Sequence, residues 1–66
     1  MEVFINHSPV ETETSTSLAD LLTQEGIAAD GIAVAIDNNV VPRSEWRTTQ
    51  LQAGAKITVI RAVCGG

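Results

Sequence analysis

Apolar and polar residues alternate along three parts of the chain, which is the pattern of β-strands with one buried face. The three segments are EVFIN at 2–6, IAVAID at 32–37 and KITVIRAV at 56–63. Each is rich in β-branched residues, which favour strands. We therefore expect three strands that form the body of a sheet.

Two weaker apolar segments each follow a turn signal. PVETET at 9–14 follows a turn at His7-Ser8, and VVP at 40–42 follows Asn38-Asn39, where both residues tolerate positive φ. We expect both segments to return as the second strand of a hairpin. The acids of 9–14 are typical of an edge strand.

A single helix is predicted from SLADLLTQEGI. Ser17 is a favourable N-cap, and Gly26 with Ile27 can end the helix in a Schellman motif. One face of this helix carries leucines at helical spacing: Leu18, Leu21 and Leu22. The helix is therefore amphipathic, with one face for a core.

The segment RSEWRTTQ after the fourth strand is irregular in pattern, and we expect one helical turn there, capped by Ser44. Trp46 is expected to join the core with its ring N–H hydrogen-bonded. The resulting order is ββαβββ. It predicts an α+β fold in which one helix packs on one face of a mixed sheet of four to five strands.

Both faces of the first and last strands are apolar, although a sheet covered by one helix needs only one apolar face. If Val3 and Ile5 face the helix, then Phe4, Ile60 and Ala62 point to the other side. Loops could fold over that side, or an exposed apolar patch could dock a partner. The sequence leaves both interpretations open.

Composition narrows the possible functions. The chain has 66 residues, a net charge of −4 and one cysteine, so it has no internal disulfide. Its four bases are scattered, which argues against nucleic-acid binding. His7 and Cys64 are too few for a zinc site, and no leader or long apolar run indicates export or a membrane. A lone cysteine without a leader suggests the cytoplasm.

The last residues, RAVCGG, suggest a compact domain over 1–62 and a flexible tail over 63–66. Gly65 and Gly66 have no Cβ, so such a tail can enter a narrow channel. Its final group would be the α-carboxylate of Gly66, which needs activation before it can donate its acyl group. The sequence contains no phosphate-binding loop, so another protein would have to supply the activation.

The ββαβββ order and the closing ITVIRAVCGG resemble the ubiquitin-like β-grasp carriers. AIDNNVVPRSEW, with VPR followed by Trp46, is similar to the thiamine-biosynthesis sulfur carrier family, ThiS. The resemblance implies that a ThiF-like adenylyltransferase activates the Gly66 carboxylate with ATP and that a sulfur donor protein converts it to a thiocarboxylate. A ThiG-like thiazole synthase would then take the sulfur. Gly65 would give access, and the chain would be a carried substrate that binds no cofactor, not an enzyme.

Two alternatives share parts of this pattern. A MoaD-like carrier for molybdopterin synthesis would use the same tail chemistry, and a plain β-grasp binding module would have an inert tail. Cys64 lies two residues from Gly66, but no residue is placed to lower its pKa, so we expect an ordinary thiol. Phe4, Ile60 and Ala62 are the candidate docking residues, chosen from strand parity.

Overall fold

The computed structural model describes residues 1–61. They form five strands, one α-helix and one turn of 3-10 helix: β1 Glu2–Ile5, β2 Ser8–Glu11, α1 Leu18–Gln24, β3 Ile32–Ile36, β4 Asn39–Val41, the 3-10 turn Arg43–Glu45, and β5 Lys56–Arg61. The predicted ββαβββ order is therefore confirmed. The predicted last strand is described as far as Arg61, and its final two residues lie outside the described part.

The five strands form one mixed sheet in the order β2-β1-β5-β3-β4. β5 runs parallel to β1, with Ile5 opposite Ile57, whereas the other neighbouring strands are antiparallel. The last strand in sequence thus lies in the centre of the sheet. The acid-fringed strand β2 lies at an edge, as its composition predicts.

Both ends of α1 are capped as the sequence predicts. The Ser17 hydroxyl accepts a hydrogen bond from the Asp20 N–H at 3.1 Å. Gly26 has a φ of +69°, which costs a glycine little. The Gly26 N–H donates to the Thr23 carbonyl at 3.1 Å and the Ile27 N–H donates to the Leu22 carbonyl at 2.9 Å. These two bonds define a Schellman motif.

The segment before β5 completes the helix N-terminus. The N–H of Leu18 donates to the Thr49 carbonyl at 2.9 Å, and the N–H of Ala19 donates to the Trp46 carbonyl at 3.1 Å. These are N–H groups that have no partner within the helix itself. The irregular segment therefore stays against α1 through main-chain bonds that do not depend on its side chains.

The core lies between α1 and one face of the sheet. Its buried members come from both layers and from the segment before β5: Val3, Leu18, Leu21, Leu22, Val34, Trp46, Leu51, Ala55 and Ile57. Trp46 is 5% exposed and its Nε1–H donates to the Val41 carbonyl at 2.9 Å. The expectation that this indole is buried with a partner is confirmed.

The turn of the second hairpin lies one residue earlier than predicted. Asp37 and Asn38, not Asn38 and Asn39, hold the two positive φ values, 49° and 70°. Contact with β5 explains the shift: the Asp37 N–H donates to the Lys56 carbonyl at 2.9 Å, and Asp37 Oδ1 accepts from the Lys56 N–H at 3.2 Å. Asp and Asn both tolerate positive φ, so this tertiary contact decides the register.

The turn of the first hairpin also lies one residue earlier than predicted. Asn6 and His7 have φ values of 48° and 73°, so the prediction of a turn at His7-Ser8 was wrong by one residue. β2 begins at Ser8 and pairs there with Ile5.

Two further predictions were wrong in their details. β2 ends at Glu11 and does not continue to residue 14, because the Glu11 carbonyl accepts from the Gln24 side chain at 3.0 Å and the Thr12 hydroxyl bonds that of Thr16 at 2.9 Å. Ser44 does not cap the 3-10 turn. Pro42 precedes that turn with a φ of −59°, and its side chain makes no capping hydrogen bond.

Candidate functional site

The face of the sheet turned away from α1, called here the outer face, is largely apolar. Residues directly opposite each other on neighbouring strands share a face. The pairings of Ile60 with Ala33, of Thr58 with Ala35 and of Ala35 with Val40 therefore place these side chains together on the outer face. Phe4 belongs to the same face, opposite Lys56.

Two large apolar side chains of the outer face are open to solvent. Ile60 is 56% exposed and Val40 is 74% exposed. Phe4 faces the same way, as strand parity predicts, but it is half-buried. Ala62, the third predicted docking residue, lies outside the described residues. The structure thus exposes Ile60 and places Phe4 beside Lys56 on a neighbouring strand, and docking through these residues stays a prediction.

Strand parity in the sequence did not single out Val40. It is the most exposed large hydrophobic of the described residues, and its pairing with Ala35 puts it on the outer face. The signal was present in the dipeptide Val40-Val41, since adjacent residues of a strand point to opposite faces. Val41 packs against the core, so Val40 must point outward.

A shallow depression of about 470 Å³ opens on the outer face beside the first hairpin. Phe4, Lys56 and Thr58 line it together with Asn6 and His7 of the turn. His7 is exposed, as expected of a solvated turn residue. The depression lies between β5 and the β1–β2 turn, and Lys56 contributes one positive charge to its lining.

β5 leads from this face to the predicted tail. Its last described residue, Arg61, is paired with Ile32 of β3. The predicted sulfur-carrying residue Gly66, its neighbour Gly65 and Cys64 lie outside the described residues. The tail prediction for 63–66 lies there too.

Residues 1–61 contain neither a cluster of metal ligands nor a membrane-spanning helix. Within that range, no three His, Cys, Asp or Glu side chains come together as metal ligands would. Between Met1 and Arg61, no helix is long and apolar enough to cross a membrane.

A model of the ThiS family matches residues 3–66, which is nearly the whole chain. The chain belongs to the ThiS family. The match includes both terminal glycines and the segments quoted above for the resemblance. The family predicted from those segments is therefore confirmed.

Individual relatives agree with the family match. The chain is similar to the sulfur carrier protein ThiS of Escherichia coli (strain K12), with 27% identity over 66 residues and full coverage of both chains. Its fold is similar to the crystal structure of the thiamine biosynthesis protein ThiS from Geobacter metallireducens, with a TM-score of 0.87, 22% identity and full coverage of both chains. A solution structure from the same organism gives a TM-score of 0.77 at 22% identity, covering this chain fully and 88% of the other. These structures support the predicted β-grasp fold.

The two faces of β5 can be compared by one substitution made on each. Ile57→Thr places a hydroxyl in the core, where Ile57 is 1% exposed, and should lower the free energy of unfolding by about 2–4 kcal/mol. Ile60→Thr makes the same chemical change at a 56% exposed position and should cost less than about 1 kcal/mol. Urea unfolding followed by circular dichroism measures both. Equal losses would show that the outer face is part of the stabilising core.

Proposed function

We propose that this chain carries sulfur as a thiocarboxylate on Gly66. The chain is a sulfur carrier of thiamine biosynthesis and is not itself an enzyme. The family match over residues 3–66 is the observation that carries this conclusion, since it extends through both glycines. The relative from E. coli, named a sulfur carrier protein, aligns over its whole length without a missing segment at either end.

The chemistry requires two steps at one carbon. An oxygen of the Gly66 carboxylate attacks the α-phosphorus of ATP, pyrophosphate leaves, and an acyl-adenylate forms. Sulfur at the sulfide oxidation level then attacks the acyl carbon, AMP leaves with the C–O bonding electrons, and a thiocarboxylate remains. Activation is needed because a carboxylate is a poor electrophile, whereas AMP is a good leaving group.

The partners follow from these steps. A ThiF-like adenylyltransferase would bind ATP and activate the carrier, a sulfur donor protein would supply the sulfur, and a ThiG-like thiazole synthase would consume it. Gly65 would allow the chain end to enter each active site, since it has no Cβ. We place the protein in the cytoplasm on the basis of its single cysteine.

The outer face is the proposed docking surface for these enzymes. Ile60 and Val40 supply exposed apolar area, and Phe4 continues it beside the depression. Ala62 remains a candidate from strand parity. The five residues after Arg61 can span at most about 18 Å, so the active site of a docked enzyme must lie within that distance of the end of β5. A surface close to β5 meets this requirement.

The comparisons do not favour the alternative of a MoaD-like carrier for molybdopterin synthesis, because the matching family model, the relative from E. coli and the crystal structure from Geobacter metallireducens are each named ThiS. A strain lacking its own thiamine sulfur carrier provides the biological test. This gene should restore growth without thiamine, and it should not restore molybdenum-cofactor synthesis in the corresponding mutant. An inert binding module would restore neither.

Sulfur loading can be read by intact-mass spectrometry. The carrier incubated with ATP, the adenylyltransferase and the sulfur donor should gain about 16 Da, as one oxygen is replaced by sulfur. Cys64→Ala is the control and should gain the same mass. A gain of about 32 Da that disappears in Cys64→Ala would indicate a persulfide on the thiol and would contradict the proposal.

Docking through the outer face can be tested with charge substitutions. Ile60→Glu and Val40→Glu should each weaken binding to the adenylyltransferase at least about 10-fold, because a carboxylate would have to be desolvated in an apolar contact. Thr23→Glu adds the same charge on α1, behind the sheet, and should bind as the unmodified chain does. Isothermal titration calorimetry measures the affinities. Equal weakening by all three variants, or by none, would remove the outer face from the proposal.

A further inference from the structure

The last residues of β5 extend beyond the strand that pairs with them on one side. β1 ends at Ile5 and the chain reverses at Asn6-His7, whereas β5 continues to Arg61. The Asn6 N–H still donates to the Ile57 carbonyl at 2.9 Å. Beyond this bond, the main chain of β1 has turned away into β2.

Beyond Ile57, the side chain of Asn6 bonds the main chain of β5 in place of the β1 backbone. The Val59 N–H donates to Asn6 Oδ1 at 2.9 Å, and Asn6 Nδ2 donates to the Val59 carbonyl at 3.3 Å. A carboxamide carries one acceptor and one donor side by side, as a peptide group does. The Asn6 amide therefore supplies one more rung of the parallel ladder after the backbone has left it.

The other side of β5 is held by β3. Val34 lies opposite Val59, and Ile32 lies opposite Arg61. On the β1 side, within residues 1–61, the Asn6 amide is the group that bonds the main chain of Val59. The end of β5 is thus fixed between a strand and a single side chain, two residues before the described chain stops.

We propose that Asn6 is a positioning residue for the reaction at the chain end. Its amide holds Val59 in the plane of the sheet, so that β5 reaches Arg61 at a fixed place in the sheet. Asn6 touches no reacting atom in this scheme. The proposal rests on the proposed function, because it concerns how the Gly66 carboxylate reaches the adenylyltransferase.

Loss of the amide should reduce the efficiency of activation. Without the amide, the end of β5 keeps its pairing with β3 but is freer to move on the β1 side. Restoring its order when the carrier binds adds a cost to the binding step. We therefore expect kcat/KM for adenylation to fall roughly 2- to 10-fold, mainly through KM, a range that corresponds to the net value of one or two hydrogen bonds. The value of kcat should change little, since the chemistry takes place in the partner.

Asn6→Gly is the decisive variant, because glycine accepts the φ of 48° and removes only the amide. Asn38→Gly is the matched control: it removes the same carboxamide from the turn of the second hairpin, where φ is 70° and the side chain is exposed. Asn6→Asp is a second variant. It keeps an acceptor for the Val59 N–H but places a carboxylate oxygen against the Val59 carbonyl, so it should fall between the other two.

Two measurements are made on the folded full-length chain. Amide hydrogen exchange should be at least about 5-fold faster at Val59 in Asn6→Gly than in Asn38→Gly, relative to the Phe4 amide, which donates to the Ala55 carbonyl at 2.9 Å. Pyrophosphate release with ATP and the adenylyltransferase should show the increase in KM in Asn6→Gly and not in Asn38→Gly.

The possible results distinguish a failure of the Asn6 proposal from a failure of the proposed function. Unchanged exchange at Val59 would show that the amide does not hold the strand, and faster exchange with unchanged KM would show that it does not position the tail. Either result overturns this proposal while the proposed function stands. If the unmodified chain releases no pyrophosphate, the proposed function fails, and the role of Asn6 in that reaction fails with it.

Discussion

The position of β5 between β1 and β3 is the constraint on which the rest of the structure depends. Parallel strands cannot be joined by a tight turn, so the chain must cross over the sheet between β1 and β5, and α1 lies in that crossover. The three central strands each contribute a side chain that is at most 1% exposed: Val3, Val34 and Ile57. Leu18 and Leu21 of α1, both 0% exposed, complete the same core. The strand that leads to the chain end is therefore anchored in the most buried part of the protein.

This arrangement explains why β5 is apolar on both faces. Ile57 and Val59 face the core, and their burial contributes to stability, whereas Ile60 faces outward and is 56% exposed. A singly exposed apolar residue needs no explanation, but Ile60 shares its face with Val40, which is 74% exposed, and contiguous apolar surface is typical of interaction sites. In a sulfur carrier that works with partner enzymes, the outer face beside the end of β5 is the docking surface that we propose.

Local sequence signals were sufficient to predict the helix. The position of the second hairpin turn and the order of the strands depend instead on contacts between residues that are far apart in the chain. Ser17 and Gly26 fix the ends of α1 through bonds within a few residues, so the pattern alone was sufficient. The turn of the second hairpin was misplaced by one residue because Asp37, Asn38 and Asn39 all tolerate positive φ, and the choice depends on the bonds of Asp37 to Lys56. The order of strands in the sheet likewise depends on partners that are far apart in the chain.

The same distinction applies to the candidate site. Glycines at the chain end could be recognised in the sequence because their lack of a Cβ is a property of the residues themselves. The hydrogen bonds of Asn6 could not be recognised in this way, since its amide meets Val59 across 53 positions of the chain. A residue that reads as an ordinary turn former thus acquires a second role from the fold.

The central claim is that the working group is the free carboxylate of Gly66, and extending the chain by one alanine after Gly66 tests it most directly. The extended carrier should fold and bind the adenylyltransferase, but it should gain no mass of about 16 Da with ATP and the sulfur donor. The Gly66 carbonyl is then an amide, and the new carboxylate lies one residue further along and carries a Cβ beside it, so it should not fit a site that accepts glycine. Sulfur loading of the extended chain at the unmodified rate would contradict the account.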